Sequence, residues 1–571
     1  MSTSKGAWFK QWRFGTICCV VAVLPAALIW HLSYLQVMPG QEKGHDFLQA
    51  QGQARTLREQ KINAYRGVIT DRNGELLAVS TPVVSIAVNP QVIAPNDIVR
   101  LAKALNLSAK DLTKKLQRFS NKQFMYVARQ LPPHEAANAT QLKIRGVIAQ
   151  REYQRYYPAG EVAAHLVGFT NIDDIGQEGM ELALDNHLAG APGAQRVIKD
   201  LKGNIVKDLG VVRSASPGGD VALSIDLRLQ YLAYRELKLA MSVQKAKSGS
   251  IVMLDVTTGE VLAMVNQPSY NPNDRANIKP NQTRNRAMTD VIEPGSTVKP
   301  FTVMAALETG RYTPESIINT NPGFVRVGRK TFIDPRNYGE IDLGTVIQKS
   351  SQVGISKLAL DLPQNVVRTM FERLGFGQST GTGFPGESLG VLPSRPKWHP
   401  IETATLAFGY GLTVTPLQLA QAYVTVANSG QTRPISLLKQ DEIPAATQVV
   451  DAKVADQIAV MLKRVTERGG TATRAQTSAY LTAGKTGTAH KVGENGYADD
   501  KYVATFAGMA PANDPRVVTV VVINEPTSGH YYGGEAAAPV FASVTDSSLR
   551  LLNVPPNNSQ HAEGVKQVAR R

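Results

Sequence analysis

The sequence predicts a multi-domain α/β chain with a single membrane-spanning helix, on three observations. Its 571 residues are too many for one core and suffice for two or three domains. Beyond residue 217, β-prone runs stand at both ends of the chain with long helical segments between them. No formally charged residue interrupts the stretch between Arg13 and Glu42. With 43% hydrophobic and 19% charged residues, the composition is that of a globular chain.

The uncharged stretch comes first. Its centre, TICCVVAVLPAALIWHLSYLQVM, is long enough to cross about 30 Å of hydrocarbon at about 1.5 Å per residue. Residues 16–38 are assigned to the transmembrane helix and 1–15 to a cytoplasmic start, because Lys5, Lys10 and Arg13 precede the span without an acidic residue. Trp8 and Trp12 on one side, and Trp30 and Tyr34 on the other, suit the two interfaces. A cleaved signal peptide would have a shorter apolar core and an A-x-A site, so a retained anchor is expected, with everything after residue 42 outside the cytoplasmic membrane.

Residues 53–216 alternate short strands, turns and helices and are expected to form a mixed α+β pedestal. RGVITDRNGELLAVS (Arg66 to Ser80) reads as strand, turn and strand around Asp71-Arg72-Asn73-Gly74. Ser108 with Asp111 reads as a helix cap before Leu112, Leu116 and Phe119. No catalytic constellation stands in this region. At Pro217-Gly218-Gly219 the character changes, and residues 220–553 are expected to form one α/β domain. Ser248 to Val265 reads as a hairpin across Thr258-Gly259, and Phe506–Pro511 with Val517–Glu525 supply further strands of the same sheet. Residues 554–571 are polar and proline-led, and are expected to be a disordered tail.

The formal net charge is +15, yet the basic residues are spread along the chain without a zinc-finger spacing or an aromatic RNA-binding motif, so no nucleic acid partner is expected. Cys18 and Cys19 both lie in the anchor, which removes disulfides and cysteine metal sites from everything that follows. The nine histidines contain no HExxH pair, and no metal or other cofactor is expected.

Three motifs carry chemistry. In EPGSTVKP (Glu293 to Pro300), Ser296 opens a helix and Lys299 lies three residues on, where the two side chains can share a face. A serine hydroxyl needs a neighbouring base, and a lysine desolvated by burial and close to positive charge can serve. In AGKTGTA (Ala483 to Ala489), small residues let a substrate backbone lie alongside a strand, with Lys485 and two threonines at hand for a carboxylate. KSSQVGISK (Lys349 to Lys357) places two serines before a helix, a pattern that by itself reads as capping. Each motif alone is common. Their order, S-x-x-K, S-x-x, K-T-G, is not.

That order resembles the penicillin-recognising serine enzymes. Over nearly its whole length the chain is similar to class B penicillin-binding proteins, the division-type D,D-transpeptidases of the penicillin-binding protein 3 family. The resemblance is carried by RG-x-I-x-DRNG, YP-x-G-x-x-AH-x-VG, NRAMTDVIEPGSTVKPF, FGYGLTVTPLQLAQAYVTVANSG and AGKTGTA. It implies a transpeptidase domain with a central antiparallel sheet flanked by helices. It implies Ser296 as nucleophile, Lys299 as base, Ser350 as proton relay and Lys485 as the group that polarises that relay. Substrate contacts are implied for Thr486, Gly487, Thr488, Gln352, Glu293, Tyr410 and Tyr532, with an oxyanion hole from the N–H groups of Ser296 and Thr488. Implied partners are peptidoglycan stem peptides ending in D-Ala-D-Ala, β-lactam antibiotics, and division-complex membrane proteins. Among these is a glycosyltransferase of the shape, elongation, division and sporulation (SEDS) family.

The middle motif departs from the family's S-x-N: here it is Ser350-Ser351-Gln352. Glutamine offers the same amide one methylene further out. Two other readings stay open. A D,D-carboxypeptidase or β-lactamase would pass the acyl group to water, although the Glu-x-x-Leu-Asn loop of class A β-lactamases is missing and the anchor and pedestal do not suit one. A β-lactam sensor or retired scaffold would need a signalling segment or the loss of Ser296, Lys299 or Lys485, and neither is found in the sequence.

Overall fold

A computed structural model describes residues 5–36, 46–47, 52, 57–199, 205–493 and 496–558. The chain falls into two packing units. The first comprises Met1–Tyr65, Pro82–Gln154 and Gly190–Pro217; the second comprises Arg66–Thr81, Arg155–Ala189 and Gly218–Arg571. Two stretches of the segment expected as a pedestal, 66–81 and 155–189, therefore pack with the larger unit.

In the first unit, a helix runs over Lys5–Gln36, and its Trp12–Tyr34 portion is long and apolar enough to cross a membrane. Trp12, Trp30 and Tyr34 are exposed on it; the side chain of Trp8 and residues 37–38 lie outside what is described. Leu57–Ile62, Gly193–Lys199 and Ile205–Arg213 form a three-stranded antiparallel sheet. A small core gathers Ile86, Val88, Leu101, Leu112, Leu116 and Met125. The Ser108 hydroxyl accepts from Asp111 N at 3.3 Å at the start of the helix Ala109–Arg118, which turns Leu112 and Leu116 inward as their spacing predicts.

In the second unit, the expected turn forms at Asp71, whose buried carboxylate accepts from Asn73 N at 2.7 Å and Glu75 N at 2.9 Å. Close by is a buried ion cluster. Arg66, 1% exposed, donates to Glu181 and Asp185, both at 2.7 Å, and Arg155 donates to the other Glu181 oxygen at 2.6 Å. Glu181 thus has two guanidinium partners, which is what makes a buried charge tolerable. Ile69, Leu77, Tyr157, Leu166 and Met180 join the main hydrophobic core.

The framework of this unit is one five-stranded sheet. Its strands are β1 (Ser248–Asp255), β2 (Val261–Gln267), β3 (Ala483–Gly493), β4 (Gly496–Ala510) and β5 (Val517–Asn524), in the spatial order β2-β1-β5-β4-β3. Every pairing is antiparallel. The expected hairpin β1–β2 is buried on both faces, which accounts for its near-continuous apolar sequence. One face is covered by helices α1 (Leu227–Gln244) and α7 (Ala538–Leu551): a Cβ at Gly249 would meet Leu237, and one at Gly508 would meet Phe541. The other face receives the turn that carries Ser296. It leads into α2 (Lys299–Glu308), followed by α3 (Leu343–Lys349), α4 (Gln352–Asp361), α5 (Pro416–Ala427) and α6 (Ala452–Thr466). The start of the expected tail is ordered. Val554 O accepts from the Tyr480 hydroxyl at 2.8 Å and Asn557 Oδ1 from Leu481 N at 2.9 Å; residues 559–571 lie outside the description.

Candidate active site

Ser296 sits in the 3-10 turn Gly295–Val298, immediately before α2. Such a turn eclipses residues three apart, so Ser296 and Lys299 open on the same side. Two close approaches fix the turn. Gly295 N donates to Gly409 O at 3.1 Å, and a Cβ at Gly409 would fall 2.1 Å from Gly295 O. From the other side, a Cβ at Gly487 would fall 2.8 Å from Pro294 O and 2.9 Å from Thr297 Cγ2. The glycine of K-T-G is thus what lets β3 lie against the Ser296 turn.

Lys299 is 2% exposed. Its ammonium donates to the Ser350 carbonyl at 2.6 Å and to the Ser350 hydroxyl at 3.2 Å. Burial pulls its pKa from the usual 10.5 to about 7, against the opposing pull of the Asp334 carboxylate. Lys299 thus has a carboxylate neighbour, which the sequence did not reveal, alongside the positive neighbour expected from it, Lys485. The like-charge effect falls on Lys485, fully buried on β3 and pushed well below the usual lysine range by burial and then by Lys299. Lys485 Nζ donates to Thr486 O at 3.2 Å and Thr486 Oγ1 at 3.3 Å. The Ser296 hydroxyl makes no hydrogen bond among the described residues. Lys299 is drawn to Ser350 instead, an arrangement compatible with catalytic contacts that tighten only on substrate.

Ser350 holds a left-handed backbone, φ 56° and ψ 38°, between the end of α3 and the start of α4. That conformation is uncommon for a non-glycine residue and is what turns the Ser350 hydroxyl and carbonyl back toward Lys299. Ser351 caps α4 by accepting from Gly354 N at 2.8 Å. Gln352 N donates to Asp334 Oδ1 at 2.6 Å, while its side-chain amide makes no hydrogen bond among the described residues.

A cleft of about 600 Å³ brings together Ser296, Lys299, Ser350, Gln352, Tyr410, Thr486, Thr488 and Tyr532, along with Asp334, Lys349, Thr471, Arg474 and Glu535. Thr488 Oγ1 accepts from Gly533 N at 3.0 Å, and Thr486 Oγ1 meets Thr471 Oγ1 at 3.2 Å. Tyr532 is exposed, with its ring tilted against that of Tyr531. Glu293 does not line this cleft. Its carboxylate accepts from Gly411 N at 2.9 Å and the Tyr497 hydroxyl at 3.0 Å, faces a neighbouring cavity of about 420 Å³, and is raised in pKa by burial. No group of metal-ligating side chains gathers among the described residues.

Sequence reading missed Asp334, which follows the strand Lys330–Ile333 and touches the Ser350–Gln352 turn from a distance of 17 residues in sequence. A lone Asp after a short strand carries no spacing signal. It also missed Tyr497, which holds Glu293 from β4.

Comparison with known proteins shows the family. Residues 249–546 match the penicillin binding protein transpeptidase domain and residues 61–223 the penicillin-binding protein dimerisation domain. The chain is 42% identical over 556 residues to the peptidoglycan D,D-transpeptidase FtsI of Escherichia coli K12, covering 96% of this chain and 93% of that one. It is 41% identical over 558 residues to the probable peptidoglycan D,D-transpeptidase PbpC of Pseudomonas aeruginosa, covering 97% and 98%. Among solved structures, the transpeptidase domain of penicillin-binding protein 3 from Burkholderia pseudomallei superposes with TM-score 0.55 at 39% identity, covering 59% of this chain and 98% of that one. Penicillin-binding protein 3 of Mycobacterium tuberculosis, solved with aztreonam, gives 0.68 at 27% identity over 87% and 98%. With both domains matched and the identity sustained along the chain, this protein belongs to the FtsI-type penicillin-binding proteins, the serine acyl-transferases known as peptidoglycan D,D-transpeptidases.

Proposed function

We propose that the protein cross-links peptidoglycan stem peptides during septal cell-wall synthesis through an acyl-enzyme on Ser296, and that β-lactams acylate the same serine. The observation that carries this reading is the buried Lys299, with a pKa of about 7 and its ammonium on Ser350, opening with Ser296 into one cleft. The Ser296 oxygen attacks the carbonyl between two D-alanines and its proton passes to Lys299. The C–N bond breaks, the departing D-alanine takes a proton by way of Ser350, and an ester on Ser296 remains. The amine of a neighbouring stem peptide then attacks the ester, the C–O bond breaks, and Ser296 recovers its proton. The N–H groups of Ser296 and Thr488 would hold the oxyanion, each worth about 3 kcal/mol in the transition state.

Thr486 and Thr488 line the cleft, where they suit the substrate's terminal carboxylate, and the buried Lys485 donates to Thr486. Gln352 takes the place of the family asparagine at the substrate amide. Tyr410 and Tyr532 flank the opening. The apolar Trp12–Tyr34 helix and the basic residues before it support a single-pass inner-membrane protein with a cytoplasmic N-terminus and a periplasmic catalytic unit. Kinship with FtsI supports a place in the division complex beside a SEDS-family glycosyltransferase.

Incubating the full chain in detergent with labelled penicillin, followed by peptide mass spectrometry, tests the reading. A stable adduct on Ser296, absent in Ser296→Ala, is expected. No adduct, or an adduct on another residue, would sink the acyl-enzyme claim, and rapid release of the label would mark a β-lactamase.

A further inference from the structure

Two carboxylates line the cleft: Glu535 at its half-buried edge, facing His530, and Asp334, only 4% exposed. Asp334 has no cationic partner in an ion pair among the described residues. Its Oδ1 accepts from Gln352 N at 2.6 Å and Val353 N at 3.2 Å, and its Oδ2 accepts from the Ser351 hydroxyl. Its own N–H is held by Gly323 O at 3.0 Å, so the carboxylate is anchored from behind. It therefore sits at the N-terminus of α4, a ten-residue helix whose dipole favours a negative charge there. The second, independent observation is electrostatic. Of the charged groups around Lys299, Asp334 is the one that favours its ammonium form, while burial opposes it and Lys485 is a like charge close enough to be perturbed by it. Lys349 and Arg474 add positive charge around the same cleft.

We infer that Asp334 is the positioning residue of this site, clamping the Ser350–Gln352 turn and supplying the negative charge that balances the Lys299 ammonium during the acylation cycle. This rests on the acyl-transfer reading of the cleft. Both roles serve the chemistry. Lys299 must accept the Ser296 proton and then hold it until the leaving amine needs it. Burial makes its ammonium more acidic, and the Asp334 charge opposes that. The strained Ser350 backbone also needs a fixed support, and three acceptor contacts from one buried carboxylate provide it.

The test is the pH dependence of Ser296 acylation by labelled penicillin in the full chain, comparing wild type with Asp334→Asn. Asparagine keeps the shape and can still accept from Gln352 N, but it removes the charge. Lys299 then loses its proton more readily, so the acidic limb of the rate profile moves down by about one pH unit. One unit below the wild-type limb, the variant's rate relative to its own plateau is expected to exceed the wild-type value roughly fivefold. Asp334→Glu keeps the charge with a longer reach; it is expected to lower the plateau and leave the limb in place. A limb unmoved or raised in Asp334→Asn, a folded Asp334→Asn that is never acylated, or a limb that moves in Asp334→Glu would each overturn the inference. If wild type itself is not acylated on Ser296, it is the acyl-transfer reading that fails, so the two failures are distinguishable.

Discussion

The buried lysine makes a quantitative prediction about pH. Lys299 acts as a base only when neutral. Burial places its pKa at about 7 in place of the usual 10.5. At pH 7.5 an ordinary lysine is neutral in about one molecule in a thousand, whereas one titrating at 7 is neutral in about three of four, a gain of several hundredfold in competent enzyme. The lowered pKa means that activity is present above about pH 7 and is lost as the pH falls through it. The second-order rate constant for penicillin acylation, measured on the full chain from pH 5 to 9.5, should fall about tenfold per unit below the limb and level off above it. A rate that keeps climbing beyond pH 9, as an ordinary lysine requires, or one that is flat across the range, would refute Lys299 as the base.

Further predictions follow from packing. Arg66→Ala leaves Asp185 without its buried partner and Glu181 with only Arg155; urea unfolding should show a loss of about 3–5 kcal/mol. Gly409→Ala places a Cβ 2.1 Å from Gly295 O at a backbone φ of 90°, displacing the Ser296 turn; acylation measured at saturating penicillin should fall roughly a hundredfold. Gln352→Asn shortens by one methylene a side chain that bonds to nothing among the described residues and restores the family amide position, so stopped-flow acylation should quicken by up to about tenfold.

Much of the catalytic unit was legible because its signals are local. Asp71 in a D-x-N-G turn, Ser108 before an amphipathic helix and the β1–β2 hairpin each determine their structure within a few residues. The order of the three motifs identified the cleft because each lies where one element begins or ends. What escaped the sequence is long-range. Asp334 and Gln352 meet only because the strand Lys330–Ile333 returns to the start of α4. The packing of 66–81 and 155–189 with the larger unit depends on Arg66, Arg155 and Glu181, which lie up to 115 residues apart. The carboxylate of Asp334 near Lys299 was likewise not legible, because side-chain placement across a cleft has no periodicity to read.

The central claim is acyl transfer from a D-Ala-D-Ala donor through Ser296 to a second peptide's amine. The most direct measurement supplies the full chain with a donor ending in D-Ala-D-Ala and an acceptor stem peptide, then follows free D-alanine and cross-linked product together. The account predicts equal amounts of D-alanine and cross-link, both abolished in Ser296→Ala. D-alanine released without cross-link, or cross-link that persists in Ser296→Ala, would contradict it.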